Sequence, residues 1–224
     1  MREAIILAGG LGTRLRSAVP DLPKCMAPVG GRPFLAHVIE HWKKGGITRF
    51  IFSLGYMHEV IEAYLQTLDV TYTCVVEDQP LGTGGAIQAA TRAATTDNLL
   101  VTNGDTLFMV DAQALGRYHR EKAALVTLAL KPMQDFDRYG LVKLDGEGRV
   151  KTFEEKKAVR DGLINGGVYV LTKQALTGTA PFSFEKDYLE PQVAGGRFFG
   201  YVSNAYFIDI GIPEDYNRAQ KELL

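Results

Sequence analysis

An α/β architecture built on a doubly wound, mostly parallel sheet is the fold class that this 224-residue chain predicts. Three observations predict it. Short apolar runs alternate with segments of helical periodicity through about the first hundred residues. Three of those runs end in Gly9-Gly10, Glu77-Asp78-Gln79 and Asn103-Gly104-Asp105, sequences too polar or glycine-rich to be ordinary turns. Farther on, the helices give way to strands and hairpin signals. Together these describe a Rossmann-like sheet with a strand-rich C-terminal half, in which ligands sit outside the carboxyl ends of the strands.

Each element has its own justification. Ala4-Ile5-Ile6-Leu7-Ala8 is a continuous apolar run, as expected of a strand covered on both faces. Residues 33–44 place Phe34, Leu35, Val38, Ile39 and Trp42 at helical spacing, with Pro33 in a first-turn position and Gly45-Gly46 as the stop. A strand at Arg49–Leu54, a helix around His58–Thr67, a strand at Val70–Val76, a helix from about Thr83 to Ala93 and a strand at Leu99–Asn103 follow. This β-α-β alternation implies right-handed crossovers. In the second half, strands are expected at Ala124–Leu130, Gly140–Leu144, Val150–Glu154, Leu163–Leu171, Phe198–Tyr201 and Ala205–Ile208. Asp145-Gly146-Glu147-Gly148 reads as a hairpin turn, and Pro213–Leu224 as a helix. No linker or repeat divides the chain, so residues 1–224 are expected to form one domain whose later strands extend the sheet and cover the pocket.

Composition narrows the function classes. Hydrophobic residues make up 46% and charged residues 23%, as in a soluble globular protein. With 25 Lys+Arg against 26 Asp+Glu the chain lacks the basic excess of a nucleic-acid or membrane-surface binder. Cys25 and Cys74 lie in or beside apolar stretches and read as small buried hydrophobes. The N-terminus lacks a leader's apolar core and cleavage site, and no apolar run is long enough to span a bilayer. A cytoplasmic protein is the expectation.

Two motifs carry the chemistry. Leu7-Ala8-Gly9-Gly10-Leu11-Gly12-Thr13-Arg14-Leu15 is a glycine-rich loop after the first strand, where backbone N–H groups can approach a phosphate closely. The dinucleotide fingerprint fails because position 15 is Leu15, and the G-x-x-x-x-G-K-[ST] loop is absent. What the loop offers instead is Arg14, a permanent cation able to grip phosphate oxygens in a fork. Pro23-Lys24-Cys25-Met26-Ala27-Pro28-Val29 then presents a lysine between prolines, which loses little backbone entropy on engaging a ligand.

G-G-x-G-T-R-L followed by P-K-x-M-x-P resembles the N-terminal signature of the sugar-phosphate nucleotidyltransferase family, and the resemblance runs at intervals to the C-terminus. It implies that residues 1–110 or so form a nucleotide-binding half and 111–224 a sugar-phosphate-binding half. Arg14 and Lys24 would hold the triphosphate and the departing pyrophosphate, while backbone from Leu7 through Ala8, Gly9, Gly10, Gly12 and Thr13 would contact the nucleotide. Glu77, Pro80, Gly82 and Thr83 match the segment that reads the base, and Asn103 and Gly104 precede a candidate metal ligand. A carboxylate such as Glu77 can accept from guanine N1–H and N2–H₂ together, which favours GTP; Gln79 leaves a pyrimidine open. Asp105 and Asp209 would hold Mg²⁺, which commonly takes one or two carboxylates plus phosphate oxygens. Glu154, Glu155 and Lys156 match the family's block for sugar hydroxyls and sugar phosphate, with Lys157 where a proline is frequent. Tyr139, Gly140, Asn165 and Gly166 would line the same pocket. The run Asp135–Gly140 and the block Leu163–Tyr169 resemble the branch that acts on heptose 1-phosphate, with the mannose 1-phosphate and muramate-type branches as alternatives.

Such a reaction needs no side-chain nucleophile, because the sugar phosphate oxygen is already an anion. The four histidines, His37, His41, His58 and His119, fall in helix-like segments and read as packing or surface residues. The expected partners are a nucleoside triphosphate and a sugar 1-phosphate, without nucleic acid or membrane; a homodimer is compatible with the sequence. A non-catalytic nucleotide-sugar sensor is the alternative from another class. A sensor would tend to lose Arg14, Lys24 or one of the two aspartates, and all are present.

Overall fold

The structure is a computed structural model that describes residues 1–10, 15, 18–154 and 159–223, and it has the expected α/β architecture. Strand β1 (Glu3–Leu7) is followed by a short ribbon, β2 (Pro28–Val29) and β3 (Arg32–Pro33), and by helix α1 (Phe34–Lys44), which Pro33 immediately precedes. Then β4 (Arg49–Leu54), α2 (His58–Leu65), β5 (Thr71–Val76), α3 (Gly82–Thr91) and β6 (Asn98–Asn103) follow in the predicted alternation. The four long strands run parallel in the order β5-β4-β1-β6. Ile5 and Ile6 are both fully buried but on opposite faces: Ile6 packs with Phe34, Leu35 and Trp42 of α1, Ile5 with Ile87 and Ala90 of α3. Covering on both faces is why this strand is an unbroken apolar run.

The second half departs from expectation in two places. After β7 (Thr106–Phe108) comes α4 (Ala112–Glu121), a helix marked in the sequence only by the helix-like surroundings of His119 and given no bounds there. Its buried stripe is Ala112, Leu115, Gly116 and His119, too small and polar to read as a core face, and Asp111 caps it by accepting from the amides of Gln113 and Ala114. Strands β8 (Val126–Phe136), β9 (Leu141–Leu144), β10 (Val150–Glu154) and β11 (Val159–Thr172) then build the antiparallel side of the sheet. The long strand β11 joins the two halves, because it pairs with β6 on one side and β8 on the other. A π-helical turn at Phe184–Leu189 runs into α5 (Glu190–Gln192), and β12 (Phe198–Val202) lies parallel to β8.

The strand expected at 205–208 does not extend the main sheet. It forms as β13 (Phe207–Asp209), antiparallel to β7 in a separate ribbon, followed by α6 (Pro213–Glu222). Phe207 lies opposite Phe108, their rings edge to face at 5.6 Å, and this apolar pairing draws the segment across the strand ends. The same register sets Asp209 opposite Thr106, the residue after Asp105.

Candidate active site

Two adjoining clefts of about 680 and 540 Å³ open at the carboxyl ends of β1, β4 and β6, within the range of small-molecule sites. Leu7, Ala8, Gly9, Gly10, Glu77, Pro80 and Gly82 line the first; Tyr139, Gly140, Asn165, Gly166 and Asp209 line the second. Lys24, Thr83, Asn103 and Asp105 face both. Sixteen of the sequence candidates, from the ends of several strands, a proline-flanked turn, the β8–β9 loop and β11, thus meet in one place, while Gly12, Thr13, Arg14, Glu155 and Lys156 lie outside the described residues. Glu154 closes β10 just short of the last two.

At the boundary of the clefts the Lys24 ammonium pairs with both aspartates. It donates a short hydrogen bond to Asp105 Oδ2 and lies 3.5 Å from Asp209 Oδ1. The short 3-10 turn Lys24–Met26, entered from Pro23, delivers the lysine, and the β7–β13 register delivers the aspartates. Asp209 accepts the Gly211 amide at 2.7 Å, and Thr106 Oγ1 donates to Asp105 Oδ1 at 3.3 Å. Burial, with the neighbouring Asp105 carboxylate, raises the Asp209 carboxyl above its ordinary value against the pull of Lys24. A Cβ on Gly211 would come within 2.8 Å of Asp209 Oδ1 and 3.0 Å of Lys24 Nζ, so a larger residue there would have to displace the ends of these two side chains. Two carboxylates aimed at one cation form a hard oxygen donor set that suits Mg²⁺. Among the described residues no group of three or more His, Cys, Asp or Glu side chains could hold a metal, so phosphate and water would complete the shell.

Glu77 is anchored rather than loose. Its carboxylate accepts from the Leu81 amide at 2.9 Å and the Ser53 hydroxyl at 3.3 Å, which holds it at the rim of the first cleft. Several glycines serve the fold rather than a ligand. Gly104 lines neither cleft; its amide donates to Leu7 O at 2.8 Å, and a Cβ would meet that oxygen at 2.9 Å. The glycine-rich start of α3 is approached closely by Phe182, whose carbonyl accepts from the Gly84 amide at 3.0 Å. A Cβ on Gly84 would fall 2.1 Å from the Phe182 ring. Gly166 and Gly167 likewise make room for Phe108 and Asn103. These close approaches are real, but the chain itself fills them.

Sequence reasoning missed Arg138, Ser183, Glu185, Lys186 and Glu190, all of which line the second cleft. Arg138 adjoins Tyr139 and ion-pairs with the buried Asp215, so its neighbour was the available signal. Residues 183–190 follow β11 with no motif and reach the site only by folding back on α3. The four histidines sit in α1, α2 and α4 and line neither cleft. Cys25 is buried as expected, while Cys74 is only half-buried.

Comparison with known proteins places the chain among relatives over its full length. A D-glycero-alpha-D-manno-heptose 1-phosphate guanylyltransferase of Aneurinibacillus thermoaerophilus is 48% identical over 228 residues, covering 99% of this chain and 98% of that one. A protein of the same name from Campylobacter jejuni is 43% identical, covering 96% of each. HddC from Yersinia pseudotuberculosis, solved complexed with GMP-PN, superimposes with a TM-score of 0.89 at 36% identity over 100% of both chains. Residues 3–224 match the nucleotidyl transferase family along practically their whole length, and the chain belongs to that family.

Proposed function

We propose that the protein transfers GMP from GTP to D-glycero-α-D-manno-heptose 1-phosphate, with Mg²⁺ as cofactor, giving a GDP-sugar and pyrophosphate. The observation that carries this reading is the position of Lys24, Asp105 and Asp209 between two clefts, one at the glycine loop and one at Tyr139 and Asn165. Similarity to two heptose 1-phosphate guanylyltransferases over nearly full length supports the sugar and the base. The anchored Glu77 carboxylate keeps lone pairs for the paired donors of guanine.

In this reading a sugar phosphate oxygen attacks the α-phosphorus in line and pyrophosphate leaves. The protein's work is to align two polyanions and offset their charge. Lys24 offers an ammonium at the meeting point, and the resemblance assigns Arg14 to the nucleotide and Lys156 to the sugar phosphate. Asp105 and Asp209 would hold Mg²⁺, whose charge, when bound, neutralises phosphate oxygens. Tyr139 and Asn165 face the sugar side. Transfer to mannose 1-phosphate is the second reading, since a mannose-1-phosphate guanylyltransferase of Mycobacterium tuberculosis is 35% identical over 99% of this chain and 64% of its own.

Pyrophosphate release with Mg²⁺, crossing the common nucleoside triphosphates with a panel of sugar 1-phosphates, tests the proposal. GTP with the heptose phosphate is expected to be the best pair. Another preferred pair replaces the substrate and keeps the reaction, whereas silence from every pair ends the catalytic reading.

A further inference from the structure

A chain of hydrogen bonds in the second cleft has only one consistent direction. Glu185 is its end point, because an ionised carboxylate only accepts. Its Oε1 lies 3.3 Å from the Tyr169 hydroxyl, and its Oε2 accepts from Thr83 Oγ1 at 2.9 Å and Ser183 Oγ at 3.3 Å. The Tyr169 proton therefore goes to Glu185. Burial, reinforced by that carboxylate, holds the Tyr169 phenol well above its ordinary pKa, so the proton stays in place. With its proton committed, the Tyr169 oxygen accepts, and the donor is Asn165 Nδ2 at 2.6 Å. At the other end of the amide, Asn165 Oδ1 accepts from the Gly167 amide at 3.2 Å.

We infer that Glu185 is a positioning residue for the acceptor sugar, acting through the Tyr169 hydroxyl to fix which way the Asn165 amide faces. The inference rests on the guanylyltransferase reading. Among the described residues, Asn165 is left with one N–H and one oxygen lone pair in a cleft it lines, a donor beside an acceptor that suits a hydroxyl used in both senses or two neighbouring hydroxyls. Three of the roughly four acceptor positions of Glu185 are filled by its own chain, so it acts as scaffold rather than reader. Through Thr83, which faces both clefts, the same carboxylate ties this wall to the first turn of α3.

The test is a double-mutant cycle on KM for the sugar 1-phosphate at saturating GTP, with Glu185→Gln, Tyr169→Phe and the pair. Each single change is expected to raise that KM about tenfold, the scale of one hydrogen bond, with kcat and the KM for GTP within about twofold. The double variant is expected to match the worse single rather than reach about a hundredfold, because both act through one amide. An unchanged KM in Glu185→Gln overturns the inference. Multiplying effects overturn it too, by placing Glu185 directly on the sugar, as does a common rise in both KM values with a fall in Tm. Should Glu185→Gln fail to fold, Glu185→Asp, which withdraws the carboxylate by one methylene, is expected to raise the same KM, and an unchanged value there is equally fatal. Wild-type protein that turns over beside unaffected variants sinks this inference alone; wild-type protein silent with every pair sinks the parent reading with it.

Discussion

Lys24 shows how much one side chain depends on its neighbours. An ammonium that touches two carboxylates offsets the repulsion between them, and removing it leaves Asp105 and Asp209 facing each other. Lys24→Met keeps the apolar stem and deletes the charge. It is expected to lower kcat by about 10²–10³, as loss of a preorganised donor at a reacting centre does, when pyrophosphate release is followed at saturating substrates. Turnover within a few-fold of wild type would remove the cluster from the chemistry. The residue was legible as a candidate because prolines flank it on both sides of a short motif. That it would be shared by two aspartates was not, since Asp105 and Asp209 stand far apart in the chain and meet only through β7 and β13.

At the scale of elements, the start of α3 is where the two halves lock together. Its glycines admit close neighbours, which the structure supplies from residues 180–185. Phe182 packs on Gly84, its amide donates to Leu81 O at 3.0 Å, and Phe184 N donates to Thr83 Oγ1 at 2.8 Å. Gly84→Ala should therefore destabilise the protein by about 1–3 kcal/mol through overpacking, even though alanine favours helices. Thermal unfolding should show a Tm lower by several degrees, and adding Phe182→Ala should recover part of the loss. A Tm equal to or above wild type would mean that α3 and the 180–185 segment separate easily. A local propensity scale gives the opposite sign, because it knows nothing of Phe182.

For the whole molecule, acid stability follows from two buried groups remote from the clefts. Burial tends to raise the Glu3 carboxyl, but hydrogen bonds from Thr96, the Arg49 guanidinium and the Thr95 amide prevail and hold it at about 2. A carboxyl depressed from 4.5 to about 2 contributes on the order of 3 kcal/mol of stability above pH 4.5, lost as pH falls toward 2. His119 sits between Thr127 and Thr172, and burial, with Arg120 adding a smaller push, lowers its imidazole from 6.5 to about 4. Its contribution is present above pH 6.5 and is lost as pH falls through 4. Denaturant melts should thus show stability declining in two overlapping stages between pH 6.5 and 2. Glu3→Gln should flatten the lower stage alone; an unaltered acid limb in that variant would show that Glu3 is not what is titrating.

The alternation of apolar runs with helical periodicity was enough to specify the parallel half, because strands covered on both faces and amphipathic helices each leave a pattern in their own residues. The chemical candidates were also local: a glycine loop, a proline-flanked lysine and strand-end aspartates announce themselves within a few positions. Helix α4 showed only as a helix-like segment around His119, without bounds, because Ala112, Gly116 and His119 make most of its buried stripe. The placement of β13 off the main sheet, the seat of Phe182 on Gly84 and the arrival of Glu185 beside Tyr169 were decided only in three dimensions. Each depends on contacts between residues far apart in the chain, which a pattern of neighbours does not record. Local sequence therefore determined which side chains could do chemistry, and tertiary packing decided which of them face one another.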